Sequence, residues 1–375
     1  MHECDVLIVG GGPAGSSCAW GLRRSGLSVS ILDKQDFPRD KVCGGWITPG
    51  VLAELEIDPA EYAQGRLLQP ITSFRIGCVG GSAVETDFGR PVSYGIRRRE
   101  FDDYLLRRSG AHLVLGAPLA SLERAGKGWI ANDRLTARVV VGAGGHFCPV
   151  ARLAGAAVNR EDAVVAQEAE FEMDDRQLAN CRVGREKPEL YFCPDMKGYG
   201  WCFRKGNFLN VGLGRADAHG LSAHAAGFLE FLKSAGRISF EIPKLRGHAY
   251  LLNGVSRRPS TADAMLLAGD SAGLAHPQSG EGILPAIQSG LLAAKTILAA
   301  RGAYGQKALA SYREGIAAPA ESWAMSAVRR LPPRWIALAA RNLLQTRWFV
   351  NEIVLKEWFL HAPLELRRHL PHPTV

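Results

Sequence analysis

Two stretches of the chain combine glycines with a carboxylate in a way that suits a nucleotide. Gly10, Gly12 and Gly15 are spaced as G-x-G-x-x-G directly after the apolar run 6–9, and Asp33 follows a second apolar run. Because glycine lacks a Cβ, a diphosphate can approach such a turn, and the N–H groups of the following helix bind it. Asp33 would accept hydrogen bonds from both hydroxyls of an unphosphorylated ribose. Unless this is a plain glycine-rich turn, it is a dinucleotide site that also includes Pro13, Ala14 and Lys34.

The second stretch is A-G-D-S-A-G-L, which follows the apolar run 265–268. Its Asp270, next to Gly269, is expected to hold a hydroxyl group of the same ligand, with a simple helix cap as the alternative. An apolar helix is predicted over 282–300, and its N-terminus offers N–H groups and partial positive charge. The loop before this helix therefore belongs to the predicted site, with Gly280, Gly282 and Ile283.

The elements that position these residues follow from the apolar periodicity. A strand, a helix over 16–24 and a second strand form a β-α-β unit, and 139–141 and 265–268 are further buried strands. A hairpin is predicted over 71–88, a helix over 100–109, and antiparallel strands over 164–255. We therefore predict a discontinuous nucleotide domain that comprises residues 1–75, 93–163 and 256–305. A sheet domain for the substrate comprises residues 76–92 and 164–255. Residues 306–375 form a helical C-terminal region.

Composition excludes several classes of protein. The 375 residues are 47% hydrophobic and 22% charged, which is globular composition, and the eight cysteines form no C-x-x-C, so no metal site is expected. Most of the net charge of +8 lies in 329–375, so a general nucleic-acid surface is not indicated. This aromatic, basic segment is either a cap over the substrate domain or a surface helix on anionic lipid. Since no signal peptide is recognised, we expect a cytoplasmic protein, peripheral to the inner face of the membrane in the second case.

These motifs resemble those of the FAD-dependent oxidoreductases of the p-hydroxybenzoate hydroxylase fold, and among them the geranylgeranyl reductase family. The resemblance covers most of residues 1–300 and includes G-G-G-P-A-G with Asp33, A-G-D with Asp270, and Arg98 in I-R-R-R-E-F. It implies an α/β fold in which a Rossmann-like FAD-binding domain carries an inserted antiparallel sheet and C-terminal helices. It also implies that Asp270 holds a hydroxyl on the ribitol or diphosphate side of FAD and that Arg98 lies against the diphosphate. A solvated arginine is the alternative for Arg98.

Two further motifs point to the geranylgeranyl reductases. Lys41-Val42-Cys43-Gly44-Gly45 is similar to the family's K-x-C-G-G, which lies beside the isoalloxazine ring. Y-G-W-C-F-R-K-G at 199–206, followed by N-V-G at 210–212, is similar to the family's Y-x-W-x-F-P-K-G and N-V-G, which line the substrate side. The resemblance therefore places four residues near the reacting atoms, namely Cys43, Trp201, Phe203 and Glu281. The alternatives are a small buried thiol at Cys43 and ordinary sheet core at the two aromatic residues.

The chain departs from the family pattern at two positions. The usual G-A-D-G is G-A-G-G at 142–145, so Gly144 lacks the carboxylate but could still let the backbone approach the cofactor. The proline of F-P-K-G is Arg204, which puts a charge near the expected cavity mouth, where it either meets an anionic head group or is solvated. The halogenase pattern W-x-W-x-I-P is absent, which argues against halogenation.

The resemblance implies an FAD-dependent enzyme that reduces C=C bonds of a prenyl or other apolar small molecule by hydride transfer from reduced flavin. The proton would come from water, Cys43 or another side chain. Because the sequence has a single dinucleotide fingerprint, electrons would come from transiently bound NAD(P)H or a separate reductase. The alternatives are a monooxygenase acting on an aromatic or polyketide-like substrate, and a flavin-bearing binding or electron-transfer protein.

Overall fold

The computed structural model describes residues 2–156, 163–316 and 333–361. For residues 333–335 it describes the backbone only. Its strands are β1 His2–Val9, β2 Val29–Leu32, β3 Trp46–Ile47, β4 Leu68–Ile71, β5 Ser73–Cys78, β6 Ala83–Asp87, β7 Ser93–Ile96, β8 His112–Val114, β9 Leu122–Ala125, β10 Gly128–Ala131, β11 Leu135–Gly142, β12 Val164–Glu172, β13 Glu189–Phe192, β14 Gly198–Lys205, β15 Phe208–Arg215, β16 Arg246–Tyr250, β17 Thr261–Ala262 and β18 Met265–Leu267.

The helices are α1 Pro13–Leu22, α2 Pro49–Glu54, α3 Pro59–Tyr62, α4 Arg98–Arg108, α5 Pro149–Leu153, α6 Asp175–Ala179, α7 Leu221–Ser234, α8 Ile283–Ala299, α9 Ala310–Gly315 and α10 Pro333–Leu343. A 3₁₀ turn spans Gly269–Ser271, and a π-helix spans Phe349–Phe359. None of the helices in these ranges is long and apolar enough to cross a membrane.

The first sheet has the strand order β17-β18-β11-β1-β2-β8, and β10 and β9 continue from β11. The strands β8, β2, β1, β11 and β18 run parallel. Val6, Leu7 and Ile8 are completely buried, as expected where a parallel sheet is covered on both faces. The carboxyl ends of β1, β2, β11 and β18 lie side by side, which is where ligands bind in open sheets of this kind.

Helix α1 begins at Pro13, earlier than predicted, because proline suits the first helical position, where its missing N–H would have no partner. It packs closely on α8 at Gly290, where a Cβ would lie 2.2 Å from the carbonyl oxygen of Ala14. A Cβ at Gly15 would lie 1.9 Å from the carbonyl oxygen of Gly10. Only glycine fits at either position, so the backbones of the two helices and the turn can approach closely.

The second sheet has the order β16-β12-β15-β14-β13-β5-β6 and is antiparallel except for the pairing of β13 with β5. It contains the hairpin predicted over 71–88 and the antiparallel strands predicted over 164–255. Its first strand starts at Ser73, ahead of the domain boundary predicted at residue 76. A third sheet has the order β3-β7-β4 and is formed from residues predicted for the first domain.

The π-helix covers the second sheet. Its buried Val350, Val354 and Leu355 pack in one core with Phe74 and Leu190 of the sheet. This packing agrees with the interpretation of the C-terminal region as a helical cap. Residues 317–332 and 362–375 of the predicted helical region lie outside the described residues, and so does part of the basic segment 329–375.

Candidate active site

A cavity of about 400 Å³ opens where the carboxyl ends of the first sheet meet the second sheet. All of the predicted site residues line it except Gly15, whose lack of a Cβ serves packing. The predicted catalytic residues in the lining are Cys43, Trp201, Phe203 and Glu281. The predicted cofactor residues in the lining are Gly10, Gly12, Pro13, Ala14, Asp33, Lys34, Lys41, Gly44, Gly45, Arg98, Gly144, Gly269, Asp270, Gly280, Gly282 and Ile283.

The turn after β1 has the backbone shape of a nucleotide cradle. Gly10 has φ +114°, and a Cβ there would lie 2.4 Å from the carbonyl oxygen of Ala143. Asp33 is buried at the end of β2, where its Oδ2 accepts a hydrogen bond of 2.7 Å from the N–H of Gly11. Its Oδ1 accepts one of 2.9 Å from the N–H of Gln35. Each carboxylate oxygen keeps further acceptor capacity for a ribose hydroxyl.

Arg39 is a cation at this turn that sequence reasoning missed. Its Nη2 lies 3.4 Å from the position that a Cβ would take on Gly12, and 3.2 Å from Oδ2 of Asp102. A guanidinium beside the open face of a glycine turn suits a diphosphate. No spacing rule connects Arg39 with the turn in sequence, since a separate loop brings it there.

Arg98 lies in the same part of the cavity and is buried. Its Nε and Nη2 donate hydrogen bonds of 2.7 and 2.8 Å to the two oxygens of Asp102. Burial lowers the pKa of Arg98, but the charge of Asp102 and the adjacent Cys43 outweigh it and raise the pKa. Arg98 is therefore a fixed cation that links the predicted diphosphate end with the thiol of Cys43.

Asp270 faces the imidazole of His248, which the sequence did not indicate, and the ammonium group of Lys41 lies beside that imidazole. Nε2 of His248 lies 3.8 Å from Oδ2 of Asp270, and Nζ of Lys41 lies 3.1 Å from Nδ1 of His248. Burial raises the pKa of Asp270, but His248, Lys41 and Arg98 together hold it below its usual value. Burial lowers the pKa of both Lys41 and His248. His248 comes from β16 of the second sheet, so only the tertiary fold brings it to Asp270.

The two motifs assigned to the reaction centre hold each other in place. Lys205 is fully buried and donates hydrogen bonds to the carbonyl oxygens of Gly44, at 3.0 Å, and Ile96, at 2.9 Å, and to the carboxylate of Glu170. Gly45 has φ +64°, and a Cβ there would lie 2.3 Å from the carbonyl oxygen of Ile96. The lysine of the W-x-F-x-K-G segment thus fixes the glycines of the K-x-C-G-G segment.

Asn210 makes a second link between these segments. Its Nδ2 donates a hydrogen bond of 3.2 Å to the carbonyl oxygen of Cys43, and its Oδ1 accepts one of 2.7 Å from Nε1 of Trp201. A Cβ at Gly212 would lie 2.5 Å from Cζ2 of Trp201. The asparagine and glycine of N-V-G therefore orient the indole ring, which lies in the cavity wall.

The other end of the cavity is apolar and is closed by the C-terminal region. Phe359 of the π-helix stacks on Trp46, with ring centroids 5.3 Å apart and planes at 8°. Its ring also meets the edge of Tyr199 at 5.4 Å. Sequence reasoning did not assign Phe359 to the site, because nothing in its neighbourhood marks it off from other core aromatics. Trp201 and Phe203 complete this aromatic wall.

Two glutamates with raised pKa values, Glu168 and Glu281, lie in the cavity wall. Glu281 accepts a hydrogen bond of 2.7 Å from the N–H of Leu284, which caps the first turn of α8, and its Oε2 lies 3.8 Å from Nε2 of His361. Glu168 accepts a hydrogen bond from the N–H of Cys43. Burial raises the pKa of each carboxyl to about 7. Burial also lowers the pKa of His361 to about 4, so this imidazole is neutral at pH 7.

Sequence reasoning missed Glu168, although the sequence contains a signal. In the alternating strand β12, Ala166, Glu168 and Glu170 fall on one face, so two carboxyls lie on the face of a strand that should be buried. The two departures from the family pattern also have a structural setting. A Cβ at Gly144 would lie 3.2 Å from Sγ of Cys148, and Arg204 donates a hydrogen bond of 2.8 Å to the carbonyl oxygen of Gly206, outside the cavity lining.

The residues present fit FAD. The N-cap positions of α1 and α8 are Gly12 and Gly282, neither of which has a capping side chain, so these helix ends are open to a ligand apart from the N–H taken by Glu281. Asp33 suits the adenosine ribose, Arg39 and the glycine turn suit the diphosphate, and Asp270 suits a hydroxyl beyond it. A nucleotide cradle continuous with an aromatic pocket is what a flavin cofactor and an apolar substrate need.

Comparison with known proteins supports the same assignment. Residues 5–78 match the family model described as FAD dependent oxidoreductase. A menaquinone reductase of Mycobacterium tuberculosis strain H37Rv is 30% identical over 321 residues, covering 79% of this chain and 76% of the relative. The chain belongs to the geranylgeranyl reductase-like family of FAD-dependent oxidoreductases. The predicted family, fold class and FAD cofactor are therefore confirmed.

Two other members of this family show how far the likeness extends. A geranylgeranyl diphosphate reductase of Rhodobacter capsulatus is 29% identical over 313 residues, covering 79% of this chain and 75% of the relative. The crystal structure of a geranylgeranyl bacteriochlorophyll reductase-like protein from Thermoplasma acidophilum superimposes with a TM-score of 0.75 at 21% identity. It covers 98% of this chain and 99% of that one, which shows that the whole fold is shared.

The assignment of Asp33 to the ribose predicts the effect of removing its carboxylate. Asp33→Ala is expected to weaken FAD binding by about 10- to 100-fold, because the ribose loses charged acceptors worth about 1.5–3 kcal/mol. The dissociation constant can be measured by flavin fluorescence after reconstitution of the apoprotein. The exposed Asp36→Ala is the control and should bind FAD as the parent does. Full flavin occupancy of the Asp33 variant at the same concentrations would contradict the assignment.

The raised pKa of Glu281 predicts how stability depends on pH. The folded state binds the proton of Glu281 more tightly than the unfolded state does. The contribution of this proton to the free energy of unfolding is therefore full below about pH 4.5 and is lost as pH rises through about 7. Relative to the wild type, Glu281→Gln should gain stability between pH 5 and 8.5, by up to about 3 kcal/mol. Urea unfolding at several pH values measures this difference, and a difference that does not change with pH would show that Glu281 ionises normally.

Proposed function

We propose that this FAD-dependent oxidoreductase reduces carbon–carbon double bonds of a prenyl chain or a similar apolar molecule. The single observation that carries this proposal is the cavity itself, in which a nucleotide cradle continues into an aromatic pocket at Cys43. The names of the relatives support it, since geranylgeranyl diphosphate is a prenyl compound. Digeranylgeranylglycerophospholipid reductase of Methanococcus aeolicus, 27% identical over 314 residues, is named for a lipid with prenyl chains.

Each part of the cavity wall has a distinct task in this reaction. Bound FAD supplies hydride chemistry, and the protein positions the substrate and excludes water. Trp46, Trp201, Phe203 and Phe359 offer the apolar surface that an isoprenoid chain needs. The reduction also requires a proton, and the wall holds a thiol and two carboxyl groups that could carry one. Electrons would enter from NAD(P)H bound transiently or from a separate reductase.

The proposal is tested by anaerobic turnover. The flavin is reduced with dithionite, geranylgeranyl diphosphate or menaquinone is added, and flavin reoxidation is followed together with the substrate mass. We expect reoxidation coupled to a gain of two hydrogens per double bond, in the isoprenoid chain rather than the quinone ring. Boiled enzyme and saturated phytanyl lipid are the controls. Reoxidation only after air is admitted, with oxygen consumed in proportion to a hydroxylated aromatic product, would replace the reductase with the monooxygenase.

We further propose that the C-terminal region rests on anionic lipid while the substrate enters. Leu338 and Leu343 of α10 and the adjoining Trp348 are exposed, with Trp348 66% accessible, although all three are large apolar residues. Arg341 and Arg347 are exposed among them. An apolar stripe flanked by arginines suits the interface of a negatively charged bilayer. The π-helix that follows Trp348 also closes the apolar end of the cavity, so this surface and the pocket belong to one segment.

Vesicle sedimentation tests the lipid contact. The holoenzyme should sediment with phosphatidylglycerol vesicles and remain in solution with phosphatidylcholine alone, and added salt should weaken binding because it screens the arginines. Leu343→Ser combined with Trp348→Ser should reduce the bound fraction about tenfold. Leu298→Ser, on an exposed leucine of α8, is the matched control and should bind like the wild type. Equal binding of the double variant and the control would contradict the proposed surface.

A further inference from the structure

Glu168 is a carboxyl group at the centre of the cavity wall that neither the cofactor site nor the fold accounts for. It lies on β12 and is 4% exposed. Its neighbour on the same face, Glu170, is paired with the buried Lys205 and lies 3.7 Å from Arg97. Among the described residues Glu168 itself makes no ion pair within 4.0 Å, and its Oε2 is buried without a hydrogen-bond partner. An unsatisfied buried polar atom is costly, so its retention calls for an explanation.

The surroundings of Glu168 are those of the predicted reaction centre. Its Oε1 accepts a hydrogen bond from the N–H of Cys43. On the neighbouring strand β15, Gly212 is the residue directly opposite Glu168. A Cβ at Gly212 would lie 2.6 Å from Cβ of Glu168 and 2.5 Å from Cζ2 of Trp201. The indole ring and the glutamate therefore meet over the space left by this glycine. The carboxyl lines the cavity between the thiol segment and the aromatic wall.

The charged groups around Glu168 act in opposite directions on its protonation. Lys205, Arg98 and the N–H of Cys43 favour the carboxylate, and Glu170 opposes it. Burial is larger than any of these effects and raises the pKa to about 7. Near neutral pH a large share of the molecules therefore hold a neutral acid here, and the same group can lose a proton without extreme cost.

We propose that Glu168 is the acid that supplies the proton for the reduction of the double bond. This inference rests on the proposed function and adds the proton donor that it requires. One alkene carbon takes up a hydride from reduced FAD, which is thereby oxidised. The Oε2–H bond of Glu168 breaks, and a C–H bond forms at the other alkene carbon. The carboxylate that remains is stabilised by the N–H of Cys43 and the positive charge of Lys205, and water returns its proton before the next turnover. The substrate thereby gains two electrons and two hydrogens.

Glu281 is the competing acid in the cavity, and its contacts give it a different task. Its Oε1 accepts a hydrogen bond that caps the first turn of α8. Its Oε2 is also buried without a hydrogen-bond partner and lies 3.8 Å from the neutral imidazole of His361 in the C-terminal region. Glu168, by contrast, is hydrogen-bonded to Cys43 and packed against Trp201. Because Glu168 is hydrogen-bonded to the thiol segment and Glu281 is hydrogen-bonded to the start of α8, the geometry favours Glu168 as the donor.

The decisive variant is Glu168→Gln, which keeps an acceptor for the N–H of Cys43 but has no acidic proton. At pH 7 its turnover should fall by about 10²- to 10⁴-fold, the usual contribution of a positioned acid, while its FAD content stays that of the wild type. Wild-type turnover should fall about tenfold per pH unit above pH 7, because only the protonated acid is active. The residual turnover of the variant should lack this pH dependence. Glu172→Gln, at the exposed end of β12, is the matched control and should behave as the wild type.

A second readout needs no substrate. Infrared difference spectra of the wild-type holoenzyme should contain C=O bands of protonated carboxyls that disappear as pH rises through 7. Glu168→Gln should lose one of these bands and keep the band of Glu281, which Glu281→Gln identifies. If the Gln variant does not fold, Glu168→Asp, whose acid is retracted by one methylene, should keep the pH dependence at a reduced rate. The absence of a Glu168-dependent band would overturn the inference even if the enzyme reduces prenyl lipids.

The activity measurements separate failure of this inference from failure of the proposed function. Wild-type turnover in the Glu168→Gln variant would overturn the proposed proton donor and leave the prenyl reductase intact. Loss of the pH dependence in Glu281→Gln but not in Glu168→Gln would overturn it as well and transfer the role to Glu281. An enzyme that shows the Glu168-dependent infrared band but reduces no prenyl substrate would overturn the proposed reaction and the role of Glu168 as its proton donor. It would leave only the finding that Glu168 is protonated near neutral pH.

Discussion

The buried ammonium group of Lys205 is the interaction on which the rest of the site depends. A charge with no exposure to solvent is stable in a protein only where each of its protons finds an acceptor. Lys205 meets this condition with Glu170 and the carbonyl oxygens of Gly44 and Ile96, which come from three different segments. Removing one partner of such a buried pair typically costs about 3–5 kcal/mol, because the other charge is left uncompensated. The position of the thiol loop on the second sheet is therefore fixed by electrostatics as well as by apolar packing.

This anchor explains how one cavity can have two chemically different ends. The carboxyl ends of the parallel strands supply glycines, carboxylates and helix N-termini, which suit the phosphates and sugars of a cofactor. The second sheet supplies Trp201 and Phe203, which suit an apolar substrate. The K-x-C-G-G loop lies between these surfaces, and Lys205 and Asn210 hold it on the second sheet. The relative position of the cofactor end and the substrate end of the cavity is therefore fixed, although no continuous sheet connects them.

The parts of the site that could be predicted from the sequence are those in which the backbone itself has strict requirements. Gly10 and Gly45 have positive φ values and stand where a Cβ would collide with a carbonyl oxygen, so few sequences satisfy these turns and their patterns can be recognised. The carboxylate at Asp33 follows for the same reason, since it must lie at the end of the adjacent parallel strand. The first β-α-β unit could also be predicted, because two apolar runs flank a helix pattern within about 30 residues.

The residues that could not be predicted reach the site from distant segments through ordinary packing. Arg39, His248 and Phe359 obey no spacing rule relative to the motifs, and each is chemically indistinguishable in sequence from many solvated or core residues. The domain boundary predicted at residue 76 falls within β5 for a similar reason, because this strand joins its sheet through a parallel pairing with β13, far along the chain. Glu168 is different. The alternation of β12 places this carboxyl on the buried face of the strand, which is a signal that the sequence itself contains.

The raised pKa values of Glu168 and Glu281 fit the substrate as well as the proton. Two ionised carboxylates in the wall of an apolar pocket would have to be desolvated again when an isoprenoid chain displaced water, which costs several kcal/mol for each unpaired ion. Burial has already shifted both groups towards their neutral forms, so the pocket can accept a hydrocarbon near neutral pH without that cost. The aromatic lining excludes water, the exclusion of water keeps the acids protonated, and the protonated acids keep the wall compatible with the chain. Apolar recognition and proton supply are in this way consequences of the same buried surface.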